Sequence, residues 1–151
     1  MTTDSSTYEE VTIFLVDDDD VDVMGVQRAL RKLKILNPVV RAHDGLEALE
    51  LLRNPSTVKR PYIILLDLNM PRMNGFEMLT ELRQDKALAS SVVFVLTTSK
   101  ADEDKVEAYQ HNVAGYIVKN KVGEDFMGLI EMLDRYWRVV ELPAQPTGSK
   151  K

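Results

Sequence analysis

Apolar residues recur along this chain in two alternating rhythms. Short apolar runs, the pattern of strands buried on both faces, stand at 11–16, 62–66, 92–96 and 115–118, with a weaker, shorter one at 39–42. Between and after them lie segments in which apolar positions return every three or four residues, as on one face of a helix. Val23, Val26, Leu30 and Leu33 form the first such face, and Phe76, Leu79 and Leu82 the third. The last is the longest: Val122, Phe126, Leu129, Ile130, Leu133 and Trp137. The second helix opens at Asp44-Gly45, with Asp44 placed to cap it and Glu47 three residues on. The fourth falls at 102–111, with Val106 and Tyr109 expected inward and Ser99 with Asp102 resembling a capping box.

Five strands in strict alternation with five helices predict an α/β fold, a doubly wound parallel sheet covered on both faces. Right-handed crossovers leave few topologies, and the flavodoxin-like order 2-1-3-4-5 is the common one for five strands. The pattern occupies residues 11–140 as one domain. It leaves 1–10 as a flexible polar N-terminus and 141–151 as a C-terminal extension containing Pro143, Pro146 and Gly148.

In such a sheet ligands bind at the carboxyl ends of the strands, where the order reverses between strands 1 and 3. After strand 1 comes Asp17-Asp18-Asp19-Asp20, and after strand 3 comes Asp67-Leu68-Asn69-Met70-Pro71. Strand 4 is followed by Thr97-Thr98-Ser99 and strand 5 by Lys119. An acidic run is ordinarily a solvated surface, and a lone lysine an exposed one. Delivery of such groups to one rim by four of five strands is not what a solvated surface requires. Asp17, Asp18 and Asp67 held close together would repel one another and resist ionisation. A divalent cation relieves that repulsion, and an all-oxygen donor set selects Mg²⁺, or Mn²⁺, over zinc. A carboxylate left free beside such a cation can take a phosphoryl group as an acyl phosphate. Lys119 would neutralise the charge that develops.

Composition narrows the alternatives. The 151 residues suit one domain, and the absence of Cys excludes cysteine-ligated zinc, iron–sulfur clusters and thiol catalysis. With 24 acidic residues against 19 basic, the net charge of −5 disfavours nucleic acid, so DNA is not an expected partner. No apolar run reaches the roughly 20 residues of a membrane span, and residues 1–10 lack the features of a signal peptide. A soluble cytoplasmic protein without a membrane partner is expected. Asp18, Asp20 and Asp22 imitate the start of an EF-hand, but Val23 stands where its glycine belongs and Ala29 where its bidentate Glu belongs. There is no glycine-rich phosphate loop, and His43 and His111 have no metal or triad spacing. Asp17-x-Asp19-x-Val21 fits the nucleophile pattern of haloacid-dehalogenase phosphatases, with Asp17 as nucleophile, yet no convincing acidic pair for Mg²⁺ follows Lys119 to complete it.

Taken together, Asp17-Asp18, Asp67-Leu68-Asn69-Met70-Pro71 with Gly75, Leu96-Thr97 and Gly115-Tyr116-Ile117-Val118-Lys119 resemble the response-regulator receiver domain in order and spacing. The resemblance implies a signalling protein rather than a metabolic enzyme, whose Asp67 accepts a phosphoryl group from a sensor histidine kinase. It also implies that Asp18, Asp67 and the Asn69 carbonyl hold Mg²⁺, with Asp17 acting through water. Thr97 would reach the phosphoryl oxygen, Lys119 would pair with it, and Tyr116 would turn inward as Thr97 moves. The face made by helix 4, strand 5 and helix 5 would then change its affinity for a partner. Asn120 stands where the family usually has proline, and Thr98 where a small residue is frequent.

Leu96-Thr97-Thr98-Ser99, Asn120 and the ending Trp137 with Glu141-Leu142-Pro143 resemble the stand-alone regulators of bacterial phytochrome kinases. That resemblance implies a bacteriophytochrome as kinase and a homodimer formed through the strand 5 region and the C-terminal extension. Finally, the face of helix 1 opposite its apolar stripe carries Asp22, Gly25, Arg28, Ala29 and Lys32. The small residues Gly25 and Ala29 beside Asp22 suggest a flat, exposed surface for kinase docking.

Overall fold

The computed structural model describes residues 10–119 and 126–143. Asn120, at the family's proline position, and Val122, assigned above to the last helix, lie outside the described residues, as do 1–9 and 144–151 of the two termini. The elements are β1 (Thr12–Val16), α1 (Asp20–Lys32), β2 (Val39–Ala42), α2 (Gly45–Leu52), β3 (Tyr62–Leu66), α3 (Gly75–Gln84), β4 (Val92–Thr97), α4 (Asp102–Gln110), β5 (Gly115–Val118) and α5 (Met127–Val139). All four strand pairings are parallel, in the order β2-β1-β3-β4-β5. This is the flavodoxin-like arrangement expected from the alternation.

The central strands β1 and β3 are buried at every position because helices cover both faces of the sheet. Side-chain alternation sends Phe14, Val16, Ile64, Leu66, Val93 and Val95 to one face, where they meet Leu49 of α2, Met78 and Leu79 of α3 and Ala108 of α4. Ile13, Leu15, Ile63, Leu65, Phe94 and Leu96 point the other way, onto Val26 and Leu30 of α1 and Ile130 and Leu133 of α5. The edge strands β2 and β5 are only partly buried.

Three helix starts are fixed by side-chain caps that also shape the rim above the sheet. Asp19 accepts from the Val21 amide at α1, and Asp44 from the Glu47 amide at α2. Asn74 and Glu77 form a reciprocal capping box at α3. At α4 the expected box is absent. Ala101 occupies the cap position without a side-chain bond, which places Ser99 two residues too early to pair with Asp102. Ser99 Oγ instead donates to Asp104 Oδ2 at 2.6 Å.

Three further expectations are corrected. Val106 and Tyr109 face outward, 58% and 53% exposed, because α4 lies over the sheet edge and buries only Ala108 there. Phe126 is not inside the last helix; it precedes α5 in the left-handed region (φ 57°) and is buried. The docking face predicted on α1 is not a flat exposed surface: Arg28 and Lys32 are exposed, but its small residues are not. Gly25 and Ala29 are buried with Val23, Val26 and Leu30, because two neighbours, the sheet and α5, cover the helix over a wide arc. A Cβ at Gly25 would lie 2.8 Å from the Phe126 ring, so this glycine permits a close helix approach.

Candidate functional site

The carboxyl ends of β1, β3, β4 and β5 converge on one rim. Asp17 leaves β1 almost fully buried, 1% exposed, while Asp18 beside it is exposed. Asp67 leaves β3 at 7% exposure. One carboxylate oxygen from each of Asp17, Asp18 and Asp67 lies within 4.8 Å of the others. The backbone holds two of these groups in place: Asp17 Oδ1 accepts from the Asp19 amide at 2.9 Å, and Asp67 Oδ1 from the Asn69 amide at 3.2 Å. Arg41 on β2 braces the same loop, donating from Nε to the Asp17 carbonyl and pairing with Asp20 at 2.9 Å.

Gly75 explains why the chain after Asp67 can fold so tightly. Its amide donates to the Leu68 carbonyl, and a Cβ there would lie 2.7 Å from the Asp67 carbonyl oxygen. The loop between β3 and α3 is also tied to α2. The Gly45 amide donates to the Met73 carbonyl, and Arg72 pairs with Asp44 at 2.7 Å. The guanidinium and the capped amides hold the Asp44 carboxyl below its usual range although its burial works against that.

Lys119 follows β5 and reaches back over the rim. Its ammonium lies 3.0 Å from Asp17 Oδ2, 3.3 Å from Asp67 Oδ2 and 2.6 Å from Asp22 Oδ2. Burial alone would lower the Lys119 pKa, but Asp22, Asp17 and Asp67 outweigh it and keep the ammonium charged. Asp17 shows the opposite balance: burial raises its pKa to about 6, against the pull of the Asp19 amide and Lys119. Asp17 Oδ2 faces the ammonium without hydrogen-bond alignment and is otherwise unpartnered in the interior. A buried carboxylate oxygen in an all-oxygen cluster, facing Lys119 without an aligned hydrogen bond, belongs to a donor set suited to a hard divalent cation.

Thr97 ends β4 fully buried, and its hydroxyl accepts from the Ser99 amide at 3.4 Å. Tyr116, half-buried on β5, donates its hydroxyl to the Ser99 carbonyl at 3.0 Å. Burial and the carboxylates of Asp104 and Asp67 raise the Tyr116 phenol, although its bond to Ser99 works the other way. Thus Asp17, Asp18, Asp67 and Lys119 come together, Thr97 and Tyr116 meet at Ser99, and Asn69 stands next to Asp67. The group the sequence reading misplaced is Asp22, assigned there to a docking face and found here on Lys119. Gly25 and Ala29, small residues four apart on one helix, are the signal of a close helix crossing that could have turned that face inward.

A five-stranded doubly wound sheet with paired carboxylates, a third carboxylate, a hydroxyl and a lysine at its reversal point defines a receiver-type fold. The family model for the response regulator receiver domain matches residues 13–131, and the chain belongs to that family. It is similar to the response regulator Rcp1 of Synechocystis sp., 34% identical over 136 residues, covering 87% of this chain and 92% of that protein. Among solved structures it resembles the phosphorylated cyanobacterial phytochrome response regulator RcpA, with TM-score 0.79 and 33% identity over 90% of this chain and all of that one. The Mn²⁺-bound form of Rcp1 gives TM-score 0.77 and 33% identity over 89% of this chain and 99% of that one. The protein is thus a two-component response regulator related to those of phytochromes. Among the described residues no helix is long and apolar enough to cross a membrane.

Proposed function

We propose that this protein is a phosphoryl-accepting switch whose acceptor is Asp67. The observation that carries the reading is the shared ammonium: Lys119 lies between Asp17 and Asp67 at the reversal point of the sheet, beside three carboxylates within 4.8 Å. A carboxylate oxygen of Asp67 attacks the phosphorus of a phosphohistidine on a sensor kinase. The P–O bond forms as the P–N bond breaks, and the imidazole leaves with that electron pair and takes up a proton. Lys119 balances charge on the transferring group, and the Thr97 hydroxyl meets a phosphoryl oxygen. A divalent cation, Mg²⁺ or Mn²⁺, would be held by Asp18, Asp67 and the Asn69 carbonyl, with Asp17 through water, and would neutralise phosphoryl charge.

Phosphorylation then favours one of two arrangements of α4, β5 and α5. The bond from the Tyr116 hydroxyl to the Ser99 carbonyl supports this, since it joins β5 to the segment that follows Thr97. The exposed Val106, Tyr109 and Val139 give that face an apolar surface for a partner. The relatives' association with phytochromes favours a bacteriophytochrome kinase, and a second copy of the chain, docked through β5 and the C-terminal extension, as the responding partner. Residues 11–140 act as the receiver and 141–151 as the extension.

The test is intact mass after incubation with Mg²⁺ and acetyl phosphate. A single phosphoryl adduct is expected on the wild type and none on Asp67→Asn. Absence of both the adduct and beryllofluoride binding in the wild type would refute the reading.

A further inference from the structure

Lys119 makes its shortest contact with a residue that the phosphoryl-transfer reading does not use. Its ammonium is 2.6 Å from Asp22 Oδ2, against 3.0 Å to Asp17 and 3.3 Å to Asp67. The contact is shielded, with the Lys119 side chain 9% exposed and that of Asp22 19%, so salt screens it far less than a surface pair. Asp22 is not one of the three carboxylates that gather within metal-binding range of one another. It belongs to the first turn of α1.

Resting on the proposed function, we infer that Asp22 is a positioning residue for phosphoryl transfer, one that competes with the phosphoryl group for the Lys119 ammonium. An ammonium has three N–H donors, and here three carboxylates surround it. Asp67 carries the phosphoryl group, and a cation at the acidic cluster would offset the charge of Asp17. Asp22 has neither fate. It keeps drawing on the Lys119 ammonium, and holds it closer to α1 than to the acceptor. The backbone of α1 has little room to move closer to α5. One turn further along, Gly25 lies against the Phe126 ring with no room for a Cβ, which limits how closely α1 and the start of α5 can approach. Asp22 therefore sets how much of the Lys119 charge reaches the phosphoryl group, and through it the stability of the phosphorylated state.

The test compares wild type, Asp22→Asn and Asp22→Glu for beryllofluoride affinity at saturating Mg²⁺, measured by titration calorimetry. Asn keeps the shape and an acceptor oxygen but removes the competing charge. Asp22→Asn should bind beryllofluoride about fivefold more tightly, the scale of a partly shielded ion pair. Its aspartyl phosphate, followed by intact mass, should persist longer by a similar factor. Asp22→Glu, which restores the charge, should return both values towards wild type. A merely structural role predicts the reverse, weaker binding together with a lower unfolding midpoint. Unchanged or weaker beryllofluoride binding by Asp22→Asn overturns the inference. If Asp22→Asn does not fold, Asp22→Ser, which also removes the charge, is subject to the same comparison. The reading of Asp67 is judged separately: wild type without adduct or beryllofluoride binding sinks both, whereas a competent wild type matched by Asp22→Asn sinks this one alone.

Discussion

The buried carboxyl of Asp17 makes the stability of the cation-free protein depend on pH in a defined direction. Asp17 is 1% exposed, and burial raises its pKa from an ordinary 3.8 to about 6 against the Asp19 amide and Lys119. Between those two values the folded protein binds more protons than the unfolded chain, so stability falls as pH rises through the window. The whole shift corresponds to about 3 kcal/mol, and the step from about pH 5 to about pH 7 removes about 1.3 kcal/mol of it. The other carboxyl and amine groups held away from their ordinary values act outside that interval. Lys119, held above its ordinary value by Asp22, Asp17 and Asp67 despite its burial, loses its contribution only under strongly alkaline conditions. Asp44 and Glu47, held below theirs, lose contributions only as pH falls beneath 3.8 and 4.5. Urea unfolding followed by far-ultraviolet circular dichroism, with EDTA present, should show the wild type gaining about 1 kcal/mol from pH 7 to pH 5 relative to Asp17→Asn. Saturating Mg²⁺ should reverse the trend, because a cation binds the ionised carboxylates of the folded state. Identical pH dependence of wild type and Asp17→Asn in EDTA would show that burial does not perturb Asp17, and the argument would fail.

Four further outcomes are expected. Gly75→Ala places a Cβ 2.7 Å from the Asp67 carbonyl, a backbone atom that cannot swing aside; acetyl phosphate labelling should slow at least about tenfold, read by intact mass. Gly25→Ala gains about 1 kcal/mol of helix propensity but overpacks the Phe126 ring, so urea unfolding should report a net loss of about 1 kcal/mol, and a stabilised variant would contradict the packing argument. Arg83→Met removes donors from the carbonyls of His111, Ala89, Ser91 and Asn112 and should cost about 3 kcal/mol, lowering Tm by about 10 °C in a thermal melt. Thr97→Ala should still be labelled on Asp67 but lose the phosphate dependence of self-association, measured by sedimentation with and without acetyl phosphate.

The strands and their order were legible because they rest on local signals. Continuous apolar runs mark strands covered on both faces, and strict alternation with helices leaves one common winding. The same logic located the rim, since whatever follows a strand of a parallel sheet emerges at its carboxyl edge. Asp17, Asp18, Asp67, Thr97 and Lys119 could therefore be picked out before any distance was known. Caps were legible where the signal is contiguous, as at Asp44 with Glu47, and misleading at Ser99, where a shift in the helix start changed its partner to Asp104.

Side-chain directions that depend on two elements far apart in the chain were not legible. Val106 and Tyr109 have helical spacing, but whether that arc meets the sheet depends on how α4 sits over its edge. Gly25, Ala29 and Asp22 looked like an exposed row because a periodic pattern records one apolar stripe and says nothing of a second neighbour. Packing of α1 against the start of α5 put Gly25 beneath Phe126, and the end of β5 brought Lys119 to within 2.6 Å of Asp22, 97 residues away in the chain. Local chemistry and periodicity thus specified the fold, its rim and the identity of the acidic cluster. The partner of each charge, and so the balance of forces on Lys119, came from the meeting of elements distant in the chain that no local pattern encodes.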